Sequence, residues 1–136
     1  MERIDVRWTS GDRYEIDVRD HRLVVDQPGR GDAGPTPTEL WVSGLVACVA
    51  HYTGSFLNRR WRGADGLSVR AEWDFATDRP ARVRDIRIVV DLPPGFPDAL
   101  TDRLQAVVEH CTVHNSMTHP PQVSIALAET AELLRG

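Results

Sequence analysis

With 136 residues, 41% of them apolar, the chain can bury most of its unfolded surface, and we expect a single domain over residues 1–136. Its net charge of −4 argues against DNA or RNA as a partner, because nucleic-acid binding requires clustered positive charge. All 16 basic residues are arginine, which excludes Schiff-base enzymes and the other mechanisms that depend on lysine.

Three short runs near the N-terminus alternate apolar with charged residues, the pattern of strands that bury one face. The runs are centred on Ile4, Val6 and Trp8, on Tyr14, Ile16 and Val18, and on residues 23–25. They predict a three-stranded antiparallel meander. The following loop, residues 27–35, carries three glycines and two prolines, which supply the turn dihedrals needed to leave a sheet.

A long helix is predicted from Thr36 to about Arg59. Thr36 is a good N-cap, Pro37 suits the first helical position, and Glu39 completes a capping box. Nearly every residue from 40 to 50 is apolar or small, so we expect the helix to be buried over most of its circumference. In so short a chain this indicates that a second subunit supplies part of the cover. We therefore expect a homodimer.

The second half of the chain predicts a hairpin, a helix and a last strand. Residues 67–76 and 83–92 alternate apolar and polar side chains around a polar turn, as in a long hairpin. Pro97 then begins a helix whose apolar residues recur at intervals of four, three and four: Leu100, Leu104, Val107 and Cys111. Residues 122–127 alternate as a strand, and a surface tail follows. This order predicts an α+β fold with antiparallel sheets around a buried central helix and a second, cysteine-bearing helix.

The sequence also predicts the cellular setting. It has no run of the roughly 18 to 20 consecutive apolar residues that a membrane span needs, and residues 1–7 form a charged alternating run rather than a signal peptide. We therefore expect a cytoplasmic protein with no membrane partner. In a reducing compartment the only two cysteines, Cys48 and Cys111, are expected to be catalytic, redox-sensing or metal-binding.

Both cysteines fall on predicted helices that should pack together, which makes contact between the thiols geometrically reasonable. Two buried structural cysteines are an equally simple interpretation, because free cysteine is among the most often buried residue types. A reactive Cys48 needs a cation, since burial raises a thiol pKa and the helix N-terminus is too distant to lower it. Arginine is the only permanent cation available: Arg13, in the turn after the first strand, or Arg19, on the second.

Glu39 is a candidate for orienting that arginine, although its capping role is a sufficient structural explanation. It lies nine residues before Cys48, which corresponds to about half a turn of rotation and about 13 to 14 Å along the helix axis. Direct contact between the two side chains is therefore excluded. A catalytic role for Glu39 has to act through a residue from elsewhere in the chain.

Two alternatives stay open on the residues alone. In the zinc hypothesis, four side chains spaced as Cys-x-x-His form a Cys2His2 tetrahedron: Cys48, His51, Cys111 and His114. In the other hypothesis the protein is a noncatalytic dimer that binds a small apolar ligand in a groove between subunits, with Trp41 and Tyr52 as its walls. The same two aromatics are also explained by core packing, because they lie on one helical face.

Two segments of the sequence carry a family resemblance. The first is GPTPTEL at residues 34–40, which continues through SGLVAC at residues 43–48. The second is EHCTVHNS at residues 109–116, which is similar to a motif written as Cys-Pro-Val followed by Asn and a small or hydroxyl residue. Together, at this separation and with this order of elements, they resemble the central helix and the second cysteine motif of the OsmC/Ohr family.

The resemblance implies an intertwined homodimer with sheets wrapped around paired central helices, and thiol-dependent reduction of hydroperoxides, often organic ones. It implies that Cys48 is the peroxidatic cysteine and Cys111 the resolving cysteine, with an external dithiol as reductant and no cofactor. In the Ohr branch a glutamate stands where this chain has Thr38, next to Glu39, and an arginine follows the first strand, which Arg13 matches with a one-residue shift. The chain therefore resembles a general OsmC-like protein more than a strict Ohr enzyme, with Arg13 and Glu39 as its candidate supporting residues.

Overall fold

The computed structural model describes residues 2–128 and confirms the predicted α+β class. Three antiparallel strands come first: β1 (Ile4–Ser10), β2 (Arg13–Val18) and β3 (His21–Val25). The long helix α1 (Pro37–Arg60) follows, and then the antiparallel hairpin of β4 (Ser68–Phe75) and β5 (Val83–Asp91). A short 3-10 helix (Asp98–Leu100) leads into α2 (Thr101–Val108) and α3 (Thr112–Thr118).

The meander of β1, β2 and β3, which confirms the prediction, has one apolar and one charged face. On the apolar face Val6 pairs with Ile16 and Trp8 pairs with Tyr14. On the other face two arginines each bridge two carboxylates: Arg7, Arg22, Glu15 and Asp17. The apolar face is open, since Val6 is 57% and Trp8 63% exposed. Within the described chain the meander packs extensively on no helix and on no other strand.

Helix α1 begins and ends close to the predicted residues. The Thr36 hydroxyl accepts the N–H of Glu39, and the Glu39 carboxylate accepts the N–H of Thr36, which completes the capping box. At the other end the N–H groups of Trp61 and Gly63 both donate to the carbonyl of Leu57. The buried side chains of α1 form one stripe along the helix: Val42, Leu45, Val49, Thr53, Phe56 and Leu57.

The prediction that α1 is buried over most of its circumference is wrong for the single chain. Ser43, Gly44, Ala47 and His51, outside the buried stripe, are exposed. By length and composition α1 could cross a membrane, with a mean hydropathy of 1.4 in its most apolar window, although the core helix of a soluble protein meets the same criterion. Only 28% of that window is buried. Much of the surface of α1 is therefore uncovered within one chain.

The hairpin of β4 and β5 forms the wall on which α1 packs. Its strands pair from Ser68 opposite Asp91 to Phe75 opposite Val83, which confirms the predicted hairpin. Alternate side chains of the hairpin pack against a buried cluster that includes Leu45 of α1: Val69, Ile86, Ile88 and Val90. The core of the chain thus lies between the hairpin, α1 and the helices that follow.

The predicted second helix is broken in two. Helix α2 ends at Val108, a turn follows, and α3 begins at Thr112. Cys111 is the N-cap of α3, with the extended backbone angles φ −69° and ψ 150°, and is not a late residue of one continuous helix. The spacing did predict that Cys111 faces the core. Periodicity reports which side chains share a face, but it does not show whether the backbone between them is unbroken.

The predicted last strand is also wrong for the described chain. Residues 122–127 have no regular secondary structure, and Val123 is 73% and Ile125 91% exposed. Strands require a neighbour for their backbone hydrogen bonds, and no strand in residues 2–128 pairs with this segment. An alternating pattern therefore does not suffice to form a strand here. The surface tail predicted beyond it falls at residues 129–136, outside the described residues.

Thr36→Ala should destabilise the fold by about 1 kcal/mol, because it removes the acceptor for the Glu39 N–H. Urea unfolding followed by circular dichroism measures the difference. Thr38→Ala is the matched control, since Thr38 lies in the same helical turn but takes no part in the capping box. Equal losses in the two variants would contradict the capping role of Thr36.

Candidate active site

The two cysteines meet in the core, each placed by a different element. Cys48 lies in the middle of α1, next to the stripe residue Val49, and is partly buried. Cys111 caps α3 and is fully buried, with 0% of its surface exposed. Leu45, Val49 and Cys111 form one buried cluster against which Cys48 packs, and both sulfurs are free thiols. The structure therefore brings the two sequence-predicted thiols together within one chain.

The start of α3 determines the chemistry of Cys111. The Cys111 sulfur accepts the N–H of His114 at 3.4 Å, as the side chain of an N-cap residue does. Burial raises the pKa of the Cys111 thiol, the His114 N–H opposes that shift, and the neighbouring Cys48 thiol adds to it. Cys111 is thus held as a neutral thiol, whereas Cys48 is the more accessible sulfur.

Tyr52 links the two elements that carry the cysteines. It lies one helical turn after Cys48 and packs against the same cluster. Its hydroxyl makes a hydrogen bond of 2.9 Å with Oγ1 of Thr112, the residue directly after Cys111. Val113 and Met117 of α3 also pack on the cluster. Helix α3 is therefore attached to this region by one polar contact and several apolar ones.

Arg13, the cation predicted to support Cys48, pairs with a buried carboxylate instead. Its Nε lies 3.7 Å from Oδ2 of Asp26, which is 1% exposed. Asp26 also accepts the backbone N–H groups of Ala33 and Gln27, and these bonds hold the pKa of its carboxyl below the ordinary value despite burial. No hydrogen bond or ion pair within residues 2–128 joins Arg13 to either cysteine.

Asp26 was missed by the sequence reasoning, although two signals point to it. The register that pairs Tyr14 with Val25 places Arg13 opposite Asp26 one step further along the strands. A carboxylate that precedes a glycine-rich loop commonly accepts backbone N–H groups of that loop. The loop returns so closely to β3 that a Cβ on Gly34 would lie 2.2 Å from the carbonyl oxygen of Val24. Asp26 therefore holds the connection between the meander and α1.

Arg19 and Glu39, the other two candidates for supporting Cys48, are placed elsewhere in the fold. Arg19 lies in the tight turn between β2 and β3, with φ +52° and an exposed side chain, and not on the second strand as predicted. Glu39 makes both of its recorded hydrogen bonds within the capping box. Of the four predicted site residues, the structure brings Cys48 and Cys111 together and gives Arg13 and Glu39 other partners.

The structure does not support the zinc hypothesis. His51 is exposed, and Nδ1 of His114 lies 3.0 Å from the carbonyl oxygen of Glu109. A structural zinc ion needs four ligands in a tetrahedron. Within the described part of the chain no three His, Cys, Asp or Glu side chains are grouped so that they could hold a metal ion.

An apolar cavity of about 830 Å³ lies beside the cysteine cluster. Leu45 and Val49 line it from α1, and Leu104 lines it from α2. Trp41 forms part of its wall and Tyr52 does not. Since this cavity lies within one chain, the groove between subunits that the sequence suggested stays a prediction. Because Leu45 and Val49 also belong to the cysteine cluster, the cavity reaches the side chains that pack on the thiols.

The model for the family described as OsmC-like protein matches residues 29–126. This match covers α1, the hairpin and both cysteines, and it agrees with the resemblance that the two motifs carry. A search of the curated proteins finds no match.

Several solved structures have the same fold at low sequence identity. A Psychrobacter arcticus protein, described as an osmotic stress induced and detoxification response protein, is 19% identical, with a TM-score of 0.76 over 85% of this chain and 88% of its own. An OsmC-like protein from Mycoplasma pneumoniae is 15% identical, with a TM-score of 0.75 over 88% and 89%. The organic hydroperoxide resistance protein OhrB of Bacillus subtilis is 15% identical, with a TM-score of 0.64 over 88% and 92%.

Asp26→Asn should lower the free energy of unfolding at neutral pH and make it less sensitive to acid. The folded-state pKa of Asp26 is depressed, so its charge contributes stability above the unfolded pKa of about 3.9, and that contribution is lost as the pH falls through the folded value. The difference between wild type and variant should therefore be largest near neutrality and shrink below about pH 4.

Urea unfolding at a series of pH values measures this difference. Asp32→Asn is the matched control, because Asp32 is an exposed residue of the same loop. A gap between wild type and Asp26→Asn that stays constant down to pH 3 (about one pH unit below the ordinary aspartate value) would show that the Asp26 charge is not what stabilises the loop.

Proposed function

The chain belongs to the OsmC-like family, and on that premise we propose that it is a thiol-dependent peroxidase that reduces hydroperoxides through Cys48 and Cys111. A role in peroxide resistance is supported at the level of the family, since proteins named for hydroperoxide resistance from Bacillus subtilis and Jannaschia share the fold. The observation that carries the more specific proposal is the contact between a partly exposed thiol and a buried one in the same cluster.

In the proposed reaction the Cys48 thiolate attacks the distal oxygen of the peroxide. A sulfur–oxygen bond forms as the oxygen–oxygen bond breaks, and an alcohol or water leaves after taking up a proton. The sulfur of Cys111 then attacks the Cys48 sulfenic acid, so that a disulfide forms and the oxygen leaves as water with the Cys111 proton. An external dithiol reduces this disulfide by exchange and is itself oxidised, in a cytoplasm that keeps such dithiols reduced.

The environment of Cys111 supports its role as the resolving cysteine. A thiol that burial keeps neutral is a weak nucleophile, which leaves the attack on peroxide to the more accessible Cys48. The N–H groups of His114 and Val113 favour the thiolate of Cys111, so the sulfur has donors ready when its proton leaves. Each cysteine is therefore placed for a different half of the reaction.

The cavity beside the cluster supports an organic hydroperoxide as substrate. Its lining from α1, β5, α2 and α3 is mostly apolar, although Arg84, Gln105 and Glu109 also contribute to it. Burying an alkyl or aryl group against the apolar part would stabilise binding by about 25 cal/mol per Å² of apolar surface buried. Hydrogen peroxide has no such group to bury. We therefore expect a bulky organic hydroperoxide to be the better substrate.

A homodimer is part of the proposal, because the chain leaves two complementary surfaces open. The apolar face of the meander has no cover, and neither does the small-residue face of α1 that includes Gly44 and Ala47. A second copy offers both surfaces again, and a two-fold axis lets each cover the other. Arg13 stays the predicted support of the Cys48 thiolate, and since one chain does not bring them together, Arg13 has to act from the second copy.

Cys48→Ser should reduce peroxide turnover with a dithiol reductant to the uncatalysed rate. Cys111→Ser, mixed with one equivalent of peroxide and no reductant, should consume it and stop at the sulfenic acid, whereas the wild type goes on to the disulfide. Peroxide consumption, with hydrogen peroxide and tert-butyl hydroperoxide side by side, and mass spectrometry after sulfenic-acid trapping measure these outcomes. Wild-type turnover in Cys48→Ser would overturn the mechanism. A wild type inert to both peroxides that binds apolar dyes equally well without its thiols would favour the noncatalytic ligand-binding dimer.

Val6→Glu should weaken the dimer by at least about tenfold, equivalent to about 1.4 kcal/mol, because it places a carboxylate in the proposed apolar interface. Val6→Thr, which keeps the shape and the strand propensity, is the matched control and should have a much smaller effect. Sedimentation equilibrium over a range of concentrations measures the dissociation constants. A monomeric wild type, or a dimer that tolerates Val6→Glu, would exclude this interface.

A further inference from the structure

We infer that Tyr52 is a positioning residue for disulfide formation, because its hydrogen bond to Thr112 holds Cys111 against Cys48. The inference rests on the proposed function and adds a residue to it. Tyr52 touches neither the peroxide nor the reacting oxygen in the proposed reaction. It acts through Thr112, on the geometry of the second step alone.

The two residues joined by the hydrogen bond, Tyr52 and Thr112, are each close in the chain to one of the cysteines. Tyr52 follows Cys48 by one turn of a rigid helix, and Thr112 follows Cys111 by a single peptide bond. The hydroxyl-to-hydroxyl distance of 2.9 Å therefore fixes where the start of α3 lies along α1. A displacement of α3 along α1 would lengthen this bond and move the Cys111 sulfur by a comparable amount.

Helix α3 has few other restraints against such a displacement. It is only seven residues long and contains no fully buried residue. Two of its side chains, Val113 and Met117, are partly buried against the cysteine cluster. Within residues 2–128 the bond between Tyr52 and Thr112 is the only hydrogen bond between α1 and the helical residues of α3, and the only other polar contact is that between the thiols of Cys48 and the cap residue Cys111. Apolar contacts are non-directional, so this bond supplies the directional restraint.

Thr112 is well suited to this task by its place in the helix. It occupies the first helical position after the Cys111 cap, where the second cysteine motif named above has proline. Threonine and proline both suit the first helical position, because the N–H of that position has no partner inside the helix. Threonine adds a hydroxyl that proline lacks, and Tyr52 bonds to that hydroxyl.

Disulfide formation is the step that depends on this placement. The Cys111 sulfur has to approach the Cys48 sulfur opposite the departing oxygen, so that the sulfur–sulfur bond forms as the sulfur–oxygen bond breaks and water leaves with the Cys111 proton. The rate of such a step falls steeply when the reacting atoms are misplaced. The attack of Cys48 on peroxide precedes it. Helix α3 contributes His114, Met117 and Thr118 to the wall of the cavity beside the cluster, but neither Tyr52 nor Thr112 lines that cavity.

Tyr52→Phe should therefore slow disulfide formation about threefold to tenfold, the equivalent of one hydrogen bond, and leave the attack on peroxide unchanged. Stopped-flow mixing with tert-butyl hydroperoxide gives the first rate from peroxide loss and the second from disulfide appearance, and dimedone traps the sulfenic acid that accumulates between them. A variant that was merely less stable would not separate these two rates. Unchanged disulfide formation and no extra trapped sulfenic acid in Tyr52→Phe would overturn the inference.

Thr112 variants test whether the effect passes through the hydrogen bond. Thr112→Val should match Tyr52→Phe, the double variant should lose nothing further, and Thr112→Ser should restore the wild-type rate because it keeps the hydroxyl. Ser116→Ala is the control, since it removes a hydrogen bond within α3, to the Thr112 carbonyl, without touching Tyr52. Additive losses in the double variant, or an equal loss in Ser116→Ala, would contradict a role for this bond.

A measurement without peroxide separates this inference from the proposed function. In glutathione redox buffers the effective concentration of one cysteine toward the other is obtained from the equilibrium between mixed and intramolecular disulfides. Tyr52→Phe should lower it by about the same factor of three to ten. If it does so while the wild type consumes no peroxide, the peroxidase proposal fails and the positioning role stands. An unchanged effective concentration would refute the positioning role even in an active enzyme.

Discussion

The packing of Cys111, the N-cap of α3, against the middle of α1 is the contact on which the candidate site depends. It buries Cys111 completely, places Cys48 at the edge of the same cluster, and positions Tyr52 next to Thr112. The hairpin packs directly on the same cluster through Val69, Ile86, Ile88 and Val90, and α2 with its turn delivers the chain to Cys111 at the required point.

Two requirements of the site oppose each other. Burial raises the pKa of the Cys111 thiol, yet the proposed reaction needs its sulfur as a nucleophile, so hydrogen-bond donors have to offset the apolar environment. For Cys111 the backbone N–H groups at the start of α3 oppose the effect of burial, because they favour the thiolate. For Cys48, which sits within a helix whose own N–H groups are used, no equivalent donor exists in the backbone. In the proposed reaction a cationic side chain is expected to support the Cys48 thiolate, and Arg13, which pairs with Asp26 within one chain, stays the predicted one.

Most of the local structure was predictable, because it depends on neighbours in sequence. The meander, the hairpin and the capping box of α1 are all predicted by short sequence patterns. Each pattern depends on interactions between residues that are only a few positions apart. The break before Cys111 was not predictable from the four–three–four spacing, since a new helix that starts at Cys111 buries the same side chain. The partner of Arg13 was missed for a different reason: the candidate carboxylate was sought at Glu39, whereas the strand register selects Asp26. The adjacency of the thiols depends on how three helices pack, which sequence patterns do not specify.

In the proposed dimer the two failures of the burial predictions would have a common physical origin. The sequence of α1 and the pattern of residues 122–127 both indicate more cover than the described chain supplies, and the apolar face of the meander is exposed in the same way. Such patterns reflect the surface buried in the final assembly, so they overestimate burial in one chain when the partner is a second copy. In the proposed dimer, folding and association are then linked, and the stability of the fold depends on protein concentration. The same linkage extends to the chemistry, because the meander that would complete the interface is also the element that carries Arg13.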